Sequence, residues 1–177
     1  MDWDKLDSEY KSNFKDYAAD GYYEVKLDSV TQKTAGTGTI FFEFNFEEGE
    51  DVKYPKVSRV LFKDEKKSFR CYHYRNIMMV LGATKEAAQK AVESCEKKAN
   101  REAIADAYTQ MFNRLAQKHP TIALEVTTEI NNGKQYAHGE FADKTIHFSN
   151  NKSTEKKGDI LPTDNDLSGD VDLDVPF

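Results

Sequence analysis

The chain has 177 residues, 38% hydrophobic, 12% aromatic and 32% charged, with a formal net charge of −6 at pH 7. That length predicts one domain with a sizeable core, no apolar run approaches the ~18 residues a membrane span needs, and the N-terminus lacks the basic-then-apolar layout of a signal peptide. Two cysteines, Cys71 and Cys95, are too few for a disulfide framework, so reduced thiols are expected, in the cytoplasm (of a host bacterium if the chain is viral).

Residues 1–19 place Trp3, Leu6, Tyr10, Phe14 and Tyr17 at spacings of three and four, which predicts a helix laid against the body, although these residues equally suit a packed strap. After Asp20 and Gly21 a strand is expected, with Tyr23, Val25 and Leu27 alternating with Glu24, Lys26 and Asp28. Lys33 to Gly38 reads as a turn, and Thr39 to Phe46 as a second strand with Ile40, Phe42, Phe44 and Phe46 on one face. Acidic Glu47–Asp51 and Pro55 make a loop before a third strand around Val57 to Lys63. Phe69, Tyr72, His73, Ile77, Val80 and Leu81 follow helical spacing, and Gly82 is a C-terminal stop. Thr84 is a candidate cap for a further helical segment running to His119, either one long helix or two broken near Asn100. Ile122 to Ile130 alternates as a strand, Asn132 and Gly133 make a hairpin turn, and a last strand spans about Gln135 to Phe148, with a bend at Gly139 or at Ala142 and Asp143. From Asn150 the apolar content collapses, which predicts disorder.

Three strands, a helical insertion over about 69–119 and two more strands define a mainly β (α+β) domain over 1–149. This is the order of a five-stranded OB-like barrel with helices between strands 3 and 4; another small α+β fold remains open. The acidity is local. Six of the 31 acids (Asp159, Asp164, Asp166, Asp170, Asp172, Asp174) lie in the last 19 residues, which hold no Lys or Arg. Residues 1–158 therefore carry 25 acids against all 25 Lys and Arg, and a basic groove is compatible with the low overall charge.

Four features carry functional expectations. Between Lys53 and Arg75 stand Lys53, Lys56, Arg59, Lys63, Lys66, Lys67, Arg70 and Arg75 against only Asp64 and Glu65, interleaved with Tyr54, Phe62, Phe69, Tyr72 and Tyr74. Cations that track phosphates beside aromatic faces that stack bases are what single-stranded nucleic acid requires. The alternative is that Phe62, Phe69 and Tyr72 are core and the lysines only solvate a surface. Phe41 falls opposite the buried face of its strand, with Glu43 and Asn45, and is a second stacking candidate. Lys134 and Tyr136, on the hairpin between strands 4 and 5, flank the binding face of such a barrel. Finally, Asp170, Asp172, Leu173, Asp174, Val175, Pro176 and Phe177 alternate acidic and apolar residues before a Pro-Phe end. That pattern suits a short docking peptide whose Phe177 is buried, and whose terminal carboxylate is clamped, by a partner. A solubilising tail would explain the aspartates but not the apolar residues among them.

The ending Asp-Leu-Asp-Val-Pro-Phe resembles the acidic tip of bacterial single-stranded DNA-binding proteins, which typically close with Asp-Asp-Ile-Pro-Phe. Residues 21–27 (Gly-Tyr-Tyr-Glu-Val-Lys-Leu), 36–44 (Gly-Thr-Gly-Thr-Ile-Phe-Phe-Glu-Phe) and 132–136 (Asn-Gly-Lys-Gln-Tyr) look like phage-encoded single-strand-binding proteins. That diffuse likeness covers roughly 20–148. It implies an OB-fold, and recruitment of replication, recombination and repair proteins through the tail. Val175 in place of the usual Ile and a longer helical insertion are the departures.

The expectation is therefore a non-catalytic protein, monomer or homodimer, that binds single-stranded DNA without sequence preference and needs no cofactor or metal. The alternative is a recombination mediator or adaptor that uses the tip and barely touches DNA. Enzymatic signals are weak: Cys71 and His73 lack a second ligand pair, His119, His138 and His147 are scattered, and the carboxylates Glu47, Glu48, Glu50 and Asp51 read as a solvated loop.

Overall fold

Gly21–Thr34 is unusually long for a strand, and it serves two neighbours in turn. In the computed structural model, which describes residues 1–13, 15–63 and 66–142 (without the side chains of 11–13 and 59), this strand, β2, pairs antiparallel with β6 (Thr121–Asn131) from Gly21 to Lys26 and with β3 (Ile40–Phe46) from Leu27 to Thr34. The change of partner coincides with a register shift between Leu27 and Ser29. Such a bulge bends and twists a strand, which lets β2 leave one neighbour for the other. Beyond β3 stands β5 (Val57–Leu61), and β7 (Lys134–Phe141) completes a hairpin with β6. The pairings run β2-β3-β5-β7-β6 and return to β2, closing a five-stranded ring. Two further short strands, β1 (Asp16–Tyr17) and β4 (Val52–Lys53), pair in parallel and tie the N-terminal segment to the acidic loop; the sequence pattern does not predict them.

The ring encloses Val25, Leu27, Val30, Ile40, Phe42, Phe44, Ile122, Leu124 and Val126. Three helices lie between β5 and β6: α2 (Lys67–Val80), α3 (Lys85–Glu96) and α4 (Arg101–Ala116), and a fourth, α1 (Trp3–Asn13), precedes the sheet. The protein is thus mixed α+β. Helix α2 ends in a paired turn, with Gly82 N–H donating to Met79 O and Ala83 N–H to Met78 O, and Gly82 at φ 111 supplies the left-handed residue this turn needs. Thr84 and Asn100 cap α3 and α4 by accepting from Ala87 N–H (3.1 Å) and Ala103 N–H (2.9 Å), so the insertion is two helices after α2, broken at Asn100. Phe112 of α4 packs edge-on against Phe42 (5.5 Å) and Phe44 (5.2 Å), covering the ring. The Asn113 amide both donates to Val30 O (2.7 Å) and accepts from Val30 N–H (2.9 Å), pairing β2 backbone on the side that β6 has left.

Two expectations change. Helix α1 forms, but Trp3 is 68% exposed and Leu6 and Tyr10 are also exposed, so its apolar face is not buried as a helix laid against the body would be, whereas Tyr17 belongs to β1 and lies under Lys53. In α2 the buried residues are Arg70, Tyr74, Ile77 and Met78, a stripe rotated from the one that Phe69, Tyr72 and Ile77 suggest. Phe14, Asp64, Glu65, the chain beyond Ala142, with the remainder of the last expected strand, the tail and its tip, lie outside the described residues. No described helix is long and apolar enough to cross a membrane.

Candidate functional site

The ring is weakest where β5 and β7 run parallel, because their register joins only Val57 to Gly139. A Cβ at Gly139 would stand 2.5 Å from Pro55 O and 3.1 Å from Lys56 O, so only glycine allows this crossing. Beside this seam a cleft of about 660 Å3 opens between the sheet and α2. Leu61 and Lys63 at the end of β5 form one side, Phe69 and His73 of α2 the roof, and Glu129, His138, Glu140 and Phe141 of the β6–β7 hairpin the other side.

Helical spacing puts Phe69 and His73 on one face, and their rings stack at 5.6 Å with planes 18° apart. Phe69 is 50% exposed, and the Lys63 ammonium sits 5.8 Å from its centroid. Burial lowers the His73 pKa below its ordinary value, so the imidazole is neutral at pH 7. Helix α2 begins with Lys66 and Lys67, has no acidic residue in its first turn and no side-chain cap, which favours an approaching anion. The hairpin wall differs: Glu129 is paired with His138 Nε2 at 2.9 Å, and Glu140 is exposed.

A buried guanidinium holds this arrangement. Arg70 donates from Nε to Glu96 Oε1 (2.8 Å), from Nη2 to Glu96 Oε2 (2.7 Å) and from Nη1 to Lys63 O (2.9 Å), and it lies 4.7 Å over the Phe62 ring. Tyr108 O–H donates to Glu96 Oε1 at 2.7 Å. Burial alone would raise the Glu96 pKa, but the hydrogen bonds from Arg70 and Tyr108 hold it below the ordinary carboxyl range. Hydrogen bonding to Glu96 correspondingly raises the Arg70 pKa.

Three expected contact residues are therefore corrected. Phe62 and Tyr74 are core, Tyr74 donating to Leu61 O (2.9 Å) and packing edge-on against Phe42 and Tyr108, and Arg70 is consumed by Glu96; none of them faces an incoming strand. Lys53 caps the Tyr17 ring at 4.5 Å, Tyr54 packs against Tyr23 and the core, and Lys56 neutralises buried Glu43 at 2.8 Å. Phe41 is half-buried, in register with Lys33 and Leu61. Lys67 and Tyr72 are exposed on α2, with the Arg75 guanidinium 4.8 Å over Tyr72. Lys134 and Tyr136 are exposed on the hairpin, which continues past the ring with Thr127 to Asn131 in solvent. Among the expected contact residues whose side chains are described, only Lys63 lines the cleft. The side chain of Arg59 and the tip residues 170–177 lie outside the described residues.

The structure adds Leu61 and His73 and exposes Phe69, one of the interleaved aromatics, which forms an i, i+4 pair with His73 once Arg70 and Tyr74 are assigned inward. For a metal, Asp28, Glu47 and His119 offer three exposed ligand atoms within 4.8 Å of one another, at the β2 bulge and below α4. His119 Nδ1 already lies 2.8 Å from Glu47 Oε1 and 3.3 Å from Leu27 O, so this nitrogen is engaged within the protein. The sequence matches no family model, and no curated protein matches it.

Proposed function

We propose that this chain is a single-stranded DNA-binding protein built on an OB-type barrel, serving DNA replication, recombination or repair and recruiting partners through its C-terminal tip. The observation that carries the proposal is the seam cleft, where an exposed aromatic ring (Phe69), an aliphatic floor (Leu61) and a cation (Lys63) stand side by side. Bases and phosphates need those groups together, and they read no sequence. The ring order supports the fold assignment. Counting β2, β3, β5, β6 and β7 as barrel strands one to five, the order is 1-2-3-5-4, with the helical insertion between the third and fourth. Lys67, Tyr72, Lys134 and Tyr136 extend the surface to either side, and Phe41 lies on the outward face of the second barrel strand.

Titration of fluorescein-labelled dT oligomers tests the proposal. Binding should weaken with salt at a log–log slope of ~−0.7 per phosphate contacted, and Lys63→Glu with Lys67→Glu should lower both affinity and slope. Absent or salt-independent binding refutes it. Glu129 and Glu140 on the facing wall favour a second reading, an adaptor that uses the tip with little DNA affinity. Partner capture by a protein that fails to bind dT oligomers would select it.

A further inference from the structure

The roof of the cleft belongs to the helical insertion, not to a strand. Phe69 and His73 both line the cleft, their rings stacked 5.6 Å apart and nearly parallel. A half-exposed aromatic ring already stacked on a second ring is a platform on which a further planar group can stack. The Lys63 ammonium lies over the Phe69 ring, 5.8 Å from its centroid, on a flexible side chain that a base entering the stack would displace toward its own phosphate. A single side chain ties the Lys63 backbone to α2. Arg70, the residue after Phe69, donates to the Lys63 carbonyl with one nitrogen while its other two hold Glu96. The backbone that carries Lys63 and the first turn of α2 that carries Phe69 are thereby held at a constant separation. The hairpin wall offers no comparable pair, since Glu129 and Glu140 would repel a phosphate there.

We infer that one unstacked base of a bound single strand enters the cleft between β5, β7 and α2 and stacks on Phe69, with Lys63 at its phosphate, which makes the helical insertion part of the binding surface. The inference rests on the single-strand-binding reading above. It predicts a polarity within the cleft: the sugar–phosphate chain passes on the Lys63 side and the base edge points toward His138 and Thr127. Because the wall beneath is aliphatic and aromatic (Leu61, Phe141), the contact accepts any base.

The test uses the full chain and dT oligomers carrying one 2-aminopurine at successive positions. In the wild type, one position should show fluorescence quenching by stacking. Phe69→Ala should abolish that quenching and weaken binding about 5- to 150-fold, the range for loss of one stacked base. Phe69→Trp should retain both, and Phe69→Leu, which keeps apolar bulk without a π face, should lose the quenching even if Phe69→Ala proves too unstable to assay. Lys90→Ala, on the exposed face of α3 away from the cleft, should leave both the quenched position and the affinity unchanged. Wild-type binding with undiminished quenching in Phe69→Leu overturns the inference while leaving the proposed function standing. Absence of wild-type binding overturns the function itself.

Discussion

Truncation of Arg70 is the sharpest probe of how the protein is assembled. In Arg70→Ala the Glu96 carboxylate, whose side chain is only 7% exposed, keeps Tyr108 as a donor but loses its counter-charge. The Lys63 carbonyl loses a donor, and Phe62 loses the guanidinium that covers it. Removing one member of a buried pair typically costs about 3–5 kcal/mol, because the other charge stays buried alone. For a chain of this size each kcal/mol lowers Tm by about 2–4 °C, so a fall of about 6–20 °C is expected. The triple variant Arg70→Met, Glu96→Leu, Tyr108→Phe buries no charge and should recover most of the loss. The pH response should also reverse. In the wild type the Glu96 pKa is held below its ordinary value, so its contribution is present above the unfolded value of about 4.3 and disappears as pH falls through the folded one. In Arg70→Ala, burial without the guanidinium raises that pKa, and stability should instead decline as pH rises from about 4.3. Urea midpoints across pH 3.5–8 measure both effects, with m-values checking that the folded state is retained. A cost below about 1 kcal/mol, or a triple variant as unstable as Arg70→Ala, would refute the account of a load-carrying buried pair.

Three further outcomes are expected. Gly139→Ala drives a methyl into two backbone carbonyls that cannot swing aside and should cost about 1–3 kcal/mol in urea unfolding; an unchanged midpoint would mean that β5 and β7 do not cross there. His73, whose pKa burial depresses, stabilises the fold fully above its unfolded value of about 6.5 and progressively less as pH falls through the folded value, so His73→Gln should flatten that part of the pH–stability curve, and identical curves would contradict the burial argument. Deleting residues 173–177 should leave the thermal midpoint unchanged and abolish pull-down of replication proteins, whereas equal pull-down would remove the docking role of the tip.

Much of the fold was legible because it rests on local signals. The alternation Ile40, Phe42, Phe44, Phe46, the side-chain cap at Thr84, the break near Asn100, the stop at Gly82 and the turn at Asn132 and Gly133 each follow from short-range chemistry. What was missed depends on partners distant in sequence. Arg70 reads as a surface cation until Glu96, 26 residues later, is known to lie against it. Tyr74 reads as a stacking residue until Phe42 and Tyr108 enclose it. The two-residue strands β1 and β4 carry too little pattern to be seen, and their parallel pairing is fixed by tertiary contact alone. The exposure of Trp3, Leu6 and Tyr10 runs against the hydrophobic pattern itself, which tells which residues share a helix face but not whether anything covers it. The cleft combines both lessons: its cation and aromatic lie six residues apart, yet only the inward turn of Arg70 between α2 and α3 shows which ring meets solvent.

Strand β6 lives in two environments. From Leu124 to Val126 it is hydrogen-bonded to β2 on one side and β7 on the other, whereas from Thr127 to Asn131 its backbone pairs with β7 and its side chains are exposed, with Thr128 Oγ1 donating to Asp20 Oδ1 at 2.6 Å. A two-stranded ribbon without a covered face is marginal in water, so its opening need not involve the ring. Amide protons of the same strand should therefore exchange with solvent on separate timescales, those near Leu124 only through global unfolding and those near Ile130 through local fraying. The ribbon can then reshape itself against a bound molecule at little cost to the sheet beneath it.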